Sequence, residues 1–167
     1  MKKRILVLIL AAVLVVWIGL EREKTEPEEG YVLYFLTGQS QEHGPALTAQ
    51  PWAPEGDAVP DPGALLKALE QGPTQEGLES PFPRGTAVRS WQWDPDTPGN
   101  LQVQMSEAYS ELSDVSLALA DYSIVLTLAQ LEEEESVEIL TSAYLANYRS
   151  HSILRPEEAV LVDSFAH

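Results

Sequence analysis

The most constraining feature of this chain is an apolar run, Ile5–Leu20, which follows Lys2, Lys3 and Arg4 and carries no charge. A helix over this run would be roughly 24 Å long at about 1.5 Å per residue, slightly short of the about 30 Å hydrocarbon core of a membrane. The run therefore predicts a membrane-targeting helix over residues 1–20, either a short anchor or the apolar core of a signal peptide.

The residues around the end of this run favour an anchor that stays attached. A cleavage site needs small residues after the apolar run, but Ala11 and Ala12 lie inside it and residues 17–21 offer no substitute. An uncleaved signal anchor is the main interpretation, and a cleaved signal peptide is the alternative. Because the cations precede the run, the N-terminus is predicted to be cytoplasmic and the body extracytoplasmic, in a single-pass protein of the cell membrane. Residues 21–30 are too charged to pack and predict a tether.

Charge and cysteine content exclude several classes of function. Residues 21–167 contain 26 acidic and 7 basic residues, a formal charge of −19. Nucleic acid is excluded as a partner, because its phosphates are neutralised by Lys and Arg that this body lacks. The chain contains no cysteine, which excludes disulfides, thiolate metal sites, cysteine nucleophiles and a lipid-bearing cysteine.

Six segments of the body show the patterns of strands and helices. Strands are predicted at 30–38, 86–93, 101–105 and 137–141, and helices at 61–71, capped by Asp61, and 113–131, capped by Ser113. The turn residues between the second and third strands predict an antiparallel hairpin. The order β-α-β-β-α-β predicts an α+β fold, a small, largely antiparallel sheet of about four strands with two helices on one face, preceded by one N-terminal membrane helix.

Residue patterns also predict the core and the irregular segments. Core candidates are Trp91, Trp93, Leu101, Val103 and Met105 on the hairpin, and Leu119, Tyr122, Leu126 and Ala129 along the second helix. Residues 39–60 hold four prolines without periodicity and predict a long irregular loop. Ala159–Val162 is either a short edge strand or part of a terminal turn.

No pattern in the chain predicts catalytic, metal-binding or cofactor-binding residues. Residues 94–99 begin like a calcium loop, but Pro98 and Met105 stand where oxygen ligands are needed, so a hairpin turn is the interpretation. Glu132–Glu135 point around a helix axis and predict a solvated corner. His43, His151 and His167 are remote from one another and are interpreted as surface residues. Tyr109, Tyr122, Trp91 and Trp93 are either an aromatic ligand platform or, more simply, core, so the ligand-binding residues are unknown.

A series of short motifs, in order along the chain, resembles the GerMN domain of sporulation and spore-germination proteins. The first is the strand ending YFLTG at 34–38, followed by a leucine-rich helix ending at Gly72-Pro73. The loop motif is formed by Gly77, Leu78, Ser80, Pro81, Pro83, Gly85 and Thr86. Val103–Ser106 follows it, and the second helix ends with Thr127, Leu128, Gln130 and Leu131. The resemblance covers residues 31–142, after an anchor at 1–20 and a tether at 21–30, and leaves 143–167 as a C-terminal extension.

The resemblance implies a non-enzymatic, extracytoplasmic α/β domain, similar in layout to ring-building modules of secretion systems and found in spore-forming Gram-positive bacteria. Two features depart from the family. The last strand ends in Leu140–Tyr144 and lacks the usual Val-Asp-Gly-Lys-like turn, and the cysteine of the family's lipoproteins is absent. The sequence thus predicts a membrane-anchored scaffold, without enzymatic activity or cofactors, that acts in sporulation or germination.

The predicted partners are envelope proteins with basic faces and further copies of this chain, with membrane contact through the N-terminal helix only. The alternative is an envelope module that binds a germinant, a cell-wall fragment or a cation.

Overall fold

The computed structural model of the protein describes residues 30–38, 46–56, 59–141 and 153–159. The elements in chain order are strands β1 Tyr31–Thr37 and β2 Leu47–Trp52, helix α1 Pro62–Gln71, strands β3 Leu78–Glu79, β4 Val88–Trp93 and β5 Asn100–Met105, helix α2 Asp114–Leu128, and strands β6 Ser136–Thr141 and β7 Ile153–Leu154. Short 3-10 helices occupy Glu107–Glu111 and Pro156–Glu158. The predicted anchor at 1–20 and the tether at 21–30, except Gly30, lie outside the described residues. Within the described part, none of the helices is long and apolar enough to cross a membrane.

The first sheet has the strand order β2-β1-β3 and is antiparallel throughout. The prediction of an irregular loop over residues 39–60 is wrong for β2, which pairs with β1 from Leu36 opposite Leu47 to Tyr31 opposite Trp52. β2 lies at the edge of this sheet. An edge strand tolerates Pro51 because the missing N–H removes no bond from an inner ladder.

The second sheet has the order β4-β5-β6-β7. The predicted hairpin is confirmed by the antiparallel pair β4 and β5, with Trp93 opposite Leu101. β5 and β6 run parallel, from Asn100 opposite Ser136, and the connection between them contains α2, since a parallel pair needs a long crossover. The α+β class with two α-helices is therefore confirmed, but the prediction of a single, largely antiparallel sheet is wrong, because the described strands form two sheets.

Helix α1 begins and ends where the local sequence predicts. The carboxylate of Asp61 accepts a hydrogen bond from Ala64 N at 2.7 Å, and Pro62 is the first helical residue. Gly72 follows the helix with φ 86° and ψ 174°, and its N–H donates to the Leu69 carbonyl at 3.1 Å. This combination of φ and ψ is adopted almost solely by glycine.

We expect Gly72→Val to lower the free energy of unfolding of residues 30–167 by about 1–2 kcal/mol. Nothing lies within 4 Å of a Cβ placed at residue 72, so the cost comes from the backbone and not from a clash. Urea unfolding measures it, with Glu70→Val on the exposed face of α1 as the control for adding the same side chain to regular helix. A curve for Gly72→Val that matches the control would show that the positive φ is not required.

The buried face of α2 differs from the predicted one. The four predicted core residues are only half-buried: Leu119, Tyr122, Leu126 and Ala129. The apolar residues that enter the core are Leu117, Ala120, Ile124, Val125 and Leu128, each at most 2% exposed. The prediction was wrong because the buried face also holds Ser123 and Thr127, which are fully buried and which a search for apolar periodicity rejects.

Polar side chains on and just after α2 pair with the backbone of β1. Thr127 Oγ1 accepts a hydrogen bond from Tyr34 N at 3.1 Å, and Ser123 Oγ donates to the Tyr34 carbonyl at 2.5 Å. Gln130 Oε1 accepts from Val32 N, and its Nε2 donates to the Val32 carbonyl, both at 2.7 Å. We call Ser123, Thr127 and Gln130 the polar stripe.

The polar stripe takes the place of a neighbouring strand. β3 pairs with β1 only at Leu36 and Thr37, so among the described strands none covers the same edge of β1 at Val32 and Tyr34. The spacing of four residues puts Ser123 and Thr127 on one face of α2, and Gln130 continues this line in the turn after the helix. A backbone group left unpaired in the interior costs about 1–3 kcal/mol, so the β1 backbone requires polar residues on this buried helix face.

Gly85 and Ser106 tie the loop before β4 to the end of β5. Ser106 is 4% exposed. Its Oγ accepts from Ala87 N at 2.9 Å and donates to the Gly85 carbonyl at 3.3 Å, and its N–H donates to the Ala87 carbonyl at 2.8 Å. Ser106, like Thr127 and Gln130, belongs to the motifs of the resemblance. These motif residues therefore hold the fold together.

The C-terminal extension adds strand β7 to the second sheet, where Leu154 lies opposite Val137 and is 6% exposed. Ala159 directly follows the last 3-10 helix. The rest of the segment predicted as a short edge strand or a terminal turn, 160–162, lies outside the described residues.

Candidate binding site

Two tryptophans on one strand form a wall of an open cavity of about 540 Å³. Trp91 and Trp93 are two residues apart on β4, so their side chains leave the same face of the strand. Both are half-buried and pack against the core. The Trp91 indole lies against α1, where a Cβ added to Gly63 would be 2.6 Å from Nε1. The lack of a side chain at Gly63 thus makes room for the indole.

A second wall is formed by the start of β1 and the residues just after α2. Tyr31 lines the cavity, and its ring meets that of Trp52 edge-on, with 6.4 Å between the ring centroids. Gln130 and Leu131 also line the cavity. Because the Gln130 amide is bonded to Val32 N, to the Val32 carbonyl and also to the Thr127 carbonyl, this wall is held by the polar stripe.

The segment Val59–Pro62 forms the third wall. Pro60 and Pro62 are buried, and the hydrogen bond from Ala64 N to Asp61 fixes the end of the segment. Val59 is 79% exposed. Val59 also lines a second, more open cavity of about 570 Å³, so this side chain lies between two concave surfaces.

The cavity combines aromatic walls with acidic residues. Asp61, Glu132 and Glu133 contribute to the lining, and all three are exposed. Among the described residues that line the cavity, none is Lys, Arg or His. Since the faces of aromatic rings are also electron-rich, the site has a negative potential and apolar walls.

Of the four aromatic residues considered as a ligand platform, the structure places two in the lining of the cavity. Trp91 and Trp93 share the cavity, and their third aromatic neighbour is Tyr31, which the sequence did not single out. Tyr109 is fully buried elsewhere, where its hydroxyl donates to Asp121 at 2.7 Å. The core interpretation is confirmed for Tyr109, and the two tryptophans serve both the core and the cavity. No sequence pattern linked residue 31 to residue 91.

The segment 94–99 is the predicted hairpin turn. The Asp94 carboxylate accepts from Asp96 N at 2.9 Å and from the Asn100 side chain at 3.2 Å. The Asp96 N–H, with the smaller effects of Asn100 and Thr97, lowers the pKa of Asp94. In the described part of the chain, no group of three His, Cys, Asp or Glu is placed to hold a metal ion. The three histidines at 43, 151 and 167 lie outside the described residues.

The prediction of a solvated corner at Glu132–Glu135 is wrong for Glu134. Glu134 N donates to the Leu131 carbonyl at 3.2 Å in a turn, and the Glu134 residue is only 8% exposed. Its two carboxylate oxygens are buried, and neither has a hydrogen-bond partner in the described structure. Burial, and next the negative charge of Glu157, raise the pKa of Glu134 to about 7.

We expect Gly63→Ala to displace the Trp91 indole and to shift its fluorescence, because the new Cβ would be 2.6 Å from Nε1. The higher helix propensity of alanine, about 1 kcal/mol, offsets part of the clash, so emission is a sharper readout than stability. Emission spectra are compared with and without Gly63→Ala, in the wild type and in a Trp91→Phe background. A shift that persists without Trp91 would contradict the placement of this indole.

Comparison with known proteins relates this fold to sporulation proteins. The family model described as Germane, sporulation and spore germination, matches residues 32–142. The first GerMN domain of the sporulation protein GerM from Bacillus subtilis has a similar structure, with a TM-score of 0.58 and 15% identity over 77% of this chain and 98% of that one. The tandem GerMN domains of the same protein give a TM-score of 0.57 and 17% identity over 77% of this chain. This chain spans 46% of the tandem structure.

No curated protein sequence matches the chain significantly. The match of the family model extends from the second residue of β1 to the residue after β6, and so contains both helices and six of the seven described strands. The chain therefore belongs to the Germane family of sporulation and spore germination proteins.

Proposed function

We propose that this protein is a membrane-anchored, extracytoplasmic domain that binds other envelope proteins, as a scaffold in sporulation or germination. The observation that carries the proposal is the open aromatic cavity on β4, with Val59 exposed at its rim. Tryptophan and tyrosine are enriched at the centres of protein interfaces, where they bury large areas at a small entropic cost. The proposal assigns the protein no catalysis and no cofactor.

The anchor and the orientation belong to the same proposal. They are supported by Lys2, Lys3 and Arg4 before the apolar run and by the acidic body after it. We expect the protein to stay with the membrane fraction and its body to be digested by protease added to protoplasts. Release of a form lacking residues 1–20 would contradict the anchor, and protection of the body would contradict the orientation.

Photocrosslinking in intact cells tests the protein-binding role. A photoreactive amino acid at residue 59 is compared with the same amino acid at Val115, which is 66% exposed and lies in the first turn of α2. We expect one envelope protein, or a second copy of this chain, to be captured from residue 59 and not from residue 115, at defined growth stages. The same products from both positions, or none from residue 59, would count against the proposal.

A small-molecule module is the second candidate, because the cavity volume of about 540 Å³ lies in the about 300–1,000 Å³ range of ligand sites. Thermal unfolding with single germinant amino acids, soluble cell-wall fragments and Ca²⁺ tests it. A rise in melting temperature that Trp93→Leu abolishes would favour this candidate over a protein partner.

A further inference from the structure

We infer that the aromatic cavity binds an arginine side chain of a partner protein. This inference rests on the proposed protein-binding function and names the chemical group that the site recognises. The lining supplies two features together: the aromatic side chains of Tyr31, Trp91 and Trp93, and carboxylates at Glu132 and Glu133. A cation over the face of an aromatic ring is attracted by the ring's quadrupole, and tryptophan is the best of these rings.

Charge and hydrogen bonding both disfavour an anion in this cavity. None of the described lining residues is basic, so an anion would face acidic groups without a compensating cation. One nearby donor is already used, because the Gln130 amide bonds to the backbone of β1 and α2. The site therefore selects a cation.

The form of the cavity favours guanidinium over ammonium. A guanidinium is planar and weakly hydrated, stacks on aromatic faces and pairs with carboxylates through two parallel hydrogen bonds. Half-buried tryptophans at one wall and exposed carboxylates at the rim match these two kinds of contact. Val59, 79% exposed at the same rim, provides an apolar surface for the methylene stem.

The cavity and the body's charge point to a peptide segment and not to a free amino acid. A volume of about 540 Å³ with an open mouth admits an arginine together with its flanking backbone. A formal charge of −19 on residues 21–167 attracts basic segments over a distance set by the screening length, about 10 Å at 0.1 M salt. In a free arginine the α-ammonium and the α-carboxylate cancel, so this field attracts only its side chain, whereas a basic segment also brings its neighbouring cations.

Isothermal titration of the full chain in neutral detergent micelles tests the inference. The probes are the pentapeptide Gly-Gly-Arg-Gly-Gly, acetylated and amidated at its ends, and the same peptide with citrulline, which has the same shape without the charge. We expect the arginine peptide to bind about tenfold more tightly, since the neutral peptide loses both the cation–π contact and the ion pair. Trp91→Leu should weaken its binding by about the same factor.

The rim is tested by variants that leave the core intact. Glu132→Gln with Glu133→Gln should weaken the arginine peptide by about fivefold at 0.1 M salt and reduce the salt dependence. Glu76→Gln with Glu107→Gln is the matched control, because both residues are exposed, lie outside the cavity lining and give the same change in net charge. We expect this control to stay within about twofold of the wild type.

Three results would overturn the inference: no binding of the arginine peptide up to about 10 mM, equal affinity for the citrulline peptide, or an equal loss in the Glu76 and Glu107 control. Capture of a protein from residue 59 in cells, with no arginine preference in vitro, would support the protein-binding function and contradict the inference that the cavity binds arginine. Arginine preference without any capture would support the chemistry of the cavity and contradict the scaffold role.

Discussion

Gln130→Met is expected to lower the free energy of unfolding by about 2–4 kcal/mol, because it leaves two backbone groups of Val32 without partners at about 1–3 kcal/mol each. Methionine has about the length of glutamine and a slightly larger volume. The lost interactions are therefore the 2.7 Å bonds to Val32 N and to the Val32 carbonyl and the 2.9 Å bond to the Thr127 carbonyl, and no cavity is created. Urea unfolding of residues 30–167 provides the measurement.

The control for Gln130→Met is Gln71→Met, the same change at the exposed end of α1, which should stay within about 0.5 kcal/mol of the wild type. Gln130→Glu adds a second comparison, since a carboxylate still accepts from Val32 N but repels the Val32 carbonyl, so we expect it also to destabilise. If Gln130→Met equals its control, water replaces the amide at this edge of β1, and the polar stripe is not a structural requirement.

Glu134→Gln is expected to stabilise the body above pH 7 and to have little effect below pH 4.5. Folding raises the pKa of Glu134 from 4.5 to about 7, so the folded chain binds more protons than the unfolded chain between these values. The free energy of unfolding contributed by this group is therefore highest below pH 4.5, falls as the pH rises, and is constant above pH 7. Between pH 4.5 and 7, the free energy of unfolding falls by about 2–3 kcal/mol. This is less than the full pKa shift would give, because nearby water screens part of the effect.

The measurement is urea unfolding of wild type and Glu134→Gln at pH 4.5, 6 and 8. Glu133→Gln, one residue away and exposed, corrects for the general effect of removing a charge from an acidic protein. We expect the advantage of Glu134→Gln over Glu133→Gln to increase between pH 4.5 and 8. An advantage that does not vary with pH would show that the Glu134 carboxylate is hydrated in the folded protein.

Elements set by local chemistry could be predicted from the sequence. Asp61 accepts a bond from Ala64 N and Gly72 has a positive φ, and both follow from neighbouring residues alone. The hairpin of β4 and β5 was predicted because the turn between them has a local signature. β2 could not be predicted, because its residues include Pro51 and do not alternate between apolar and polar. Only its pairing with β1 defines it as a strand.

Features that depend on distant partners could not be predicted. Ser123 and Thr127 are buried because the β1 backbone needs partners there, which no helical periodicity indicates. The parallel pairing of β5 with β6 follows from the crossover and not from either strand's pattern. The candidate site could not be predicted for the same reason. Its residues Tyr31, Trp91 and Glu132 are distant in the sequence and meet only in the folded chain. Glu134 was misread because a run of four glutamates gives no sign that a turn directs one of them inward.

The polar stripe also determines when the body can finish folding during synthesis. Ser123, Thr127 and Gln130 lie 89 to 98 residues after their partners on β1. At a translation rate of about 5–20 residues per second, about 5–20 s pass between the synthesis of β1 and the synthesis of these residues. β2 covers one edge of β1 early in that interval. β3 pairs with the other edge only at Leu36 and Thr37, and the rest of that edge stays open until Gln130 emerges. Any chain that ends before Gln130 therefore keeps an apolar strand with an unprotected edge, which makes truncated products of this protein prone to aggregate.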